Sequence, residues 1–151
     1  MPLLGLDKYQ QAVDALIEVK NKQVKAVFIQ GLTNIAIGTP VDEGFARNNW
    51  FLSENAASDA TVDNESKSGA NSLLQLDKIP ANVLGIKLYY TNNTPYINKL
   101  EYGGYPNPTD GTPLKGGGFD KHTVNGFSDQ APTGWVRSEV LTMRQALRAI
   151  K

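Results

Sequence analysis

Apolar residues in the first quarter of the chain recur mainly at steps of three, four and seven: Tyr9, Val13, Leu16, Ile17, Val24, Val27, Phe28 and Ile35. That spacing keeps them on one side of an α-helix, so one long amphipathic helix is predicted over residues 7–37. Gly31 is a candidate break inside it, and Gly38, Thr39 and Pro40 end it, a glycine after the last periodic residue with proline just beyond. Such a helix would be roughly 45 Å long, at about 1.5 Å per residue. A compact domain of this size has a radius of gyration of about 15 Å. Unless Gly31 interrupts it, the helix is expected to overhang its own core or to lie against a neighbour.

Residues 41–47 read as a turn punctuated by Asp42 and Gly44, and residues 48–53 as a short strand with Trp50 and Leu52 on one face. Residues 54–69 are rich in Asp, Asn, Ser and Ala, which predicts a flexible loop or one ordered by a partner. Ala70, Leu73, Leu74 and Ile79 suggest a short helix stopped by Pro80. Ile86, Leu88 and Tyr90 then alternate with Lys87, Tyr89 and Thr91, the pattern of a half-buried strand. Thr94 and Pro95 read as the cap and first position of a following helical turn, which Gly103 would close with a positive φ. Residues 105–131, with several prolines and the triple glycine Gly116 to Gly118, are predicted as a second flexible loop. Val136, Val140, Met143, Leu147 and Ile150 mark a last helix with Thr133 as its candidate cap, although residues 135–140 also fit the start of a strand.

Composition narrows the function classes. The chain has 151 residues, enough for one domain and too few for two ordinary ones. Fifteen basic and fifteen acidic residues cancel, so no global field attracts nucleic acid, anionic lipid or acidic substrates. Without a cysteine there is no disulfide, thiolate metal site or cysteine nucleophile. The first residues lack the basic and apolar stretches of a secretion signal, and no apolar run approaches a membrane span, so cytoplasmic assembly without a membrane partner is expected.

His122 beside Asp120 would suit a small hydrolase or nuclease, with Glu101 as a further carboxylate; the plainer alternative is an exposed polar loop. Asp42, Glu43, Asp59, Asp63 and Glu65 lack the spacing of a calcium loop, and one histidine cannot build a zinc centre, so no metal or cofactor is expected. Lys20, Lys22 and Lys25 on the first helix, with Arg144 and Arg148 on the last, would face DNA if a ring repeated them around an axis. Solvated helix faces are the alternative.

Three stretches taken together resemble a known group. Residues 39–50, T-P-V-D-E-G-F-A-R-N-N-W, follow the long helix; residues 90–105, Y-T-N-N-T-P-Y-I-N-K-L-E-Y-G-G-Y, lie downstream; and residues 130–137, Q-A-P-T-G-W-V-R, open the last helix. In this order they resemble the neck or tail-completion proteins of long-tailed bacteriophages, the head-tail joining and minor-tail-Z-like group. Glu43 before Gly44, and the length of the loop after Tyr105, depart from that pattern. The signature residues are Asp42, Gly44, Arg47, Trp50, Asn92, Pro95, Tyr96, Glu101, Gly103 and Gly104.

The resemblance implies an α+β fold, with the long N-terminal helix and the C-terminal helix packed on a small antiparallel sheet and two long irregular loops. It implies a virion structural protein without enzymatic activity, located in the neck. There it would form a homo-oligomeric ring, commonly a hexamer, between tail-terminator or tail-tube proteins and the capsid connector. DNA would pass through the ring.

Overall fold

The computed structural model describes residues 5–106, 115 and 122–151. The fold is α+β, with long N- and C-terminal helices against a two-stranded antiparallel sheet. The first helix, α1, runs Leu6–Gly38 without a break at Gly31. The glycine there serves packing instead. The side chain of Met143 lies so close over Gly31 that a Cβ at that position would overlap it. In this way α1 and the last helix, α4 (Val136–Ala149), approach closely.

The two halves of α1 live in different surroundings. From Leu6 to Val19 every residue except the half-buried Val13 is exposed. The domain begins at Asn21, whose side-chain oxygen accepts hydrogen bonds from the N–H groups of Val83 (2.8 Å) and Leu84 (3.1 Å). Lys25 adds a bond from its Nζ to the carbonyl of Ile79, at 3.0 Å. The first fifteen or so residues of α1 therefore project about 22 Å beyond the domain. This is the overhang that helix length and domain size predict.

Strand β1 (Trp50–Glu54) pairs with β2 (Leu88–Asn92), with Leu52 opposite Tyr90. Trp50 stacks on Tyr90, ring centroids 5.1 Å apart, beneath α1 and α4. The predicted first strand begins two residues late because Ala46–Asn48 closes into a 3-10 turn. Helix α2 (Ala70–Leu74) continues as a 3-10 turn, Gln75–Lys78, and ends before Pro80 as predicted.

Two predictions of helix capping are corrected. Helix α3 is Ile97–Tyr102, and its cap position is Tyr96 rather than Thr94. The carbonyl of Thr94 accepts the Ile97 N–H (3.0 Å), while its buried hydroxyl has no hydrogen-bond partner among the described residues. Thr133 does not cap α4, whose cap position is Trp135.

The second loop contains an element that the sequence reading left out. Thr123–Val124 (β3) and Phe127–Ser128 (β4) form a hairpin turning on Asn125 and Gly126, with φ of 51° and 84°. An Asn-Gly pair supplies the two positive φ angles that a two-residue hairpin turn requires. The triple glycine and Asp120 lie outside the described residues.

The Gly31 contact yields a test. Gly31→Ala forces Met143 aside and is expected to destabilise the protein by about 1–3 kcal/mol, the usual cost of overpacking. Combining it with Met143→Ala should cost less than the sum of the two changes in denaturant unfolding. Strict additivity would show that the two residues are not in contact.

Candidate functional site

The last carbonyls of a helix lack partners within the helix and attract positive charge. In α1 they organise a polar junction. Thr39 Oγ1 donates to the carbonyl of Ile35 (2.9 Å), and the indole N–H of Trp50 donates to Thr39 Oγ1 (2.9 Å). From the other side, the indole N–H of Trp135 donates to the same Ile35 carbonyl at 2.8 Å. The last turn of α1 contains no basic residue. Arg47 supplies the charge, with its Nε and Nη2 on the carbonyl of Thr39 at 3.1 and 2.9 Å and its Nη1 on the carbonyl of Lys67 at 3.0 Å.

The start of α4 is satisfied by a residue of α3. Glu101 Oε2 accepts the backbone N–H groups of Trp135 and Val136, both at 2.8 Å, and Oε1 accepts that of Arg137 at 3.0 Å. Arg137 closes the arrangement, with its Nε 2.8 Å from Oε1 and its guanidinium 4.7 Å from the centre of the Tyr102 ring. Burial alone would raise the Glu101 pKa. The N–H groups of Arg137, Trp135 and Val136, with the Arg137 side chain, outweigh it and hold the carboxyl below its ordinary value. Gly134, at φ 78°, permits the approach, since a Cβ there would strike the Glu101 backbone.

Side-chain amides complete the junction. Gln130 bonds both backbone groups of Val41, accepting from its N–H at 2.8 Å and donating to its carbonyl at 2.7 Å. Asn92 Nδ2 donates to the carbonyl of Ala46 at 2.8 Å. Asn48 and Asn49 are fully buried. Asn49 exchanges two bonds with the backbone of Val62, at 2.9 and 2.8 Å, and Asn48 bonds the carbonyls of Gly44 and Ser66. Residues 54–69 lack regular structure along most of their length, yet these two asparagines fasten their second half to the core.

The structure thus joins the three signature stretches to one another. Arg47, Trp50, Asn92 and Glu101 are working members of the junction. Gly44, Gly103 and Gly104 adopt φ of 105°, 80° and 110°, which side-chain-bearing residues rarely take. Pro95 is exposed, and Tyr96 caps α3 with its backbone carbonyl. Asp42 is exposed at the rim, and Asn48 rather than Asp42 holds its turn. Sequence reasoning missed Asn48, Asn49 and Gln130, because polar residues in polar stretches resemble surface.

A groove of about 780 Å³ beside the junction is lined by Asp42, Glu43, Tyr96, Tyr105, His122 and Asp129, among others. Burial, then the charges of Tyr105, Asp42 and Glu43, raise the Tyr96 pKa, which keeps the phenol protonated. Glu101 does not line this groove, and its oxygens are occupied by Arg137 and the α4 backbone. It is therefore poorly placed to assist His122. Among the described residues no three His, Cys, Asp or Glu side chains gather as a metal site, and no helix is long and apolar enough to cross a membrane.

The basic residues do not form one face. Lys20 and Lys22, two positions apart, point about 200° apart around α1. Lys22 pairs with Glu18 at 2.7 Å, and Lys25 is turned onto Ile79. Arg144 and Arg148 are exposed on α4.

Comparison with known proteins finds no matching family model, curated protein or solved structure. The assignment of Glu101 as a structural cap has its own test. Glu101→Ala strands buried N–H groups and is expected to destabilise the fold by about 1–3 kcal/mol. Because the folded pKa is depressed, the carboxylate's contribution is complete above the ordinary value of 4.5 and is lost as pH falls through the lower folded value. Glu101→Gln should flatten stability against pH in that acidic window. A variant curve parallel to the parent's would contradict the assignment.

Proposed function

We propose that this protein is a structural subunit of the neck of a long-tailed phage particle, forming a ring that completes the tail and joins it to the capsid connector. The observation that carries this reading is the overhang of α1. A helix projecting about 22 Å from a domain with Leu6, Tyr9, Leu16 and Ile17 all 47% exposed or more leaves apolar surface suited to another protein. The signature stretches support it too, since their side chains are spent on holding helix ends and loops in place. The ring reading places no reaction at the junction. DNA would pass through the ring.

The test is a joining assay. Filled heads and finished tails from an extract lacking this protein should remain separate in the electron microscope and join when the purified chain is added. Equal joining with and without the chain would overturn the proposal.

A further inference from the structure

Two apolar surfaces on this chain are of complementary form. One is convex: the overhang of α1, with Leu6, Tyr9, Leu16 and Ile17 exposed by 61, 68, 57 and 47% and Val13 between them. At about 100° per residue these five positions fall within one arc of roughly 100°. The other surface is concave, an open groove of about 370 Å³ where α1, β2 and α4 meet. Phe28, Leu32, Tyr90, Val140, Met143 and Leu147 line it, with Arg144 beside them.

Charge distinguishes the two surfaces in the same sense. Asp7 and Asp14 accompany the overhang against one base, Lys8, while Glu18 at its foot is paired with Lys22. Arg144, Arg148 and Lys151 accompany the groove, and residues 140–151 contain no acid. The zero net charge of the whole chain thus conceals a weakly acidic projection and a basic receptacle.

We propose that the α1 overhang of one copy docks in the α1–α4 groove of the next copy. This deepens the ring reading and rests on it, since it names the contact that would build the ring. Pairing two overhangs with each other would place identical acidic flanks together and leave the groove open. Docking overhang into groove covers both apolar surfaces and brings opposite charges together. It is also a head-to-tail contact, the kind that generates a closed ring when its rotation closes.

The absence of native cysteine makes the test direct. Single-cysteine copies, Leu16→Cys and Val140→Cys, are purified, mixed and oxidised. Both positions are exposed, so neither change threatens the fold. The expected product is the mixed 16–140 dimer. A second arm mixes a Leu16→Asp copy, with a damaged overhang, and a Val140→Asp copy, with a damaged groove. Each alone should be monomeric by light scattering, whereas the mixture should give dimers and nothing larger, because each pair retains one intact contact. A closed oligomer of the parent chain, together with 16-to-16 cross-linking of the Leu16→Cys copies, would overturn the docking and leave the ring reading standing. A strictly monomeric parent chain at high concentration, giving no cross-link, would also overturn the docking; the ring reading would then be decided by the joining assay.

Discussion

Helix ends expose backbone groups that must find partners, and in this protein the carboxylate of Glu101 answers that requirement for α4 from a different helix. It receives three backbone N–H groups and the Arg137 side chain while almost wholly buried. A buried carboxylate with fewer donors would carry a large desolvation cost. With them it becomes a pin that sets the start of α4 relative to α3. The opposite requirement, at the end of α1, is met by Trp135, Trp50 through Thr39, and Arg47. Trp135 belongs to both sets, since its backbone bonds Glu101 and its indole bonds Ile35.

That shared tryptophan couples local bonding to the shape of the whole. With the start of α4 pinned to α3 and to the end of α1, the rest of α4 runs back along α1 until Met143 meets Gly31. No residue of α4 is fully buried, so the helix closes one side of the core while leaving a groove at its edge. The junction thus places the surface on which we infer that a second copy docks. The overhang needs no such bracing, because it continues a helix already held at Asn21 and Lys25.

How much of this was legible depends on the range of the interaction. The long helices announced themselves because burial on one side imposes a 3.6-residue period that is local in sequence. The overhang followed from arithmetic on helix length. The Asn125-Gly126 hairpin was also locally written, in the turn residues, and was passed over because the surrounding prolines and glycines suggested irregular chain. The caps were not legible. Thr94 and Thr133 have the chemistry and position of caps, yet α4 is capped by a glutamate more than thirty residues upstream, whose identity no local rule reveals. Asn48 and Asn49 were hidden for the same reason, since their partners in residues 62–66 are supplied only by the folded chain. The three signature stretches meet at the junction, but only the contacts showed that their members hold the fold together.

The central claim is a division of labour between a braced junction and an exposed apolar helix that we infer to dock on another subunit. Amide hydrogen exchange, comparing the free chain, kept monomeric by dilution, with the assembled oligomer, tests it most directly. The account predicts slow exchange in both states at Trp135, Val136 and Arg137, whose N–H groups bond Glu101. It predicts rapid exchange over residues 6–19 in the free chain, where the solitary helix frays, and strong protection there on assembly. Rapid exchange at residues 135–137 in the free chain, or an overhang equally protected in both states, would contradict it.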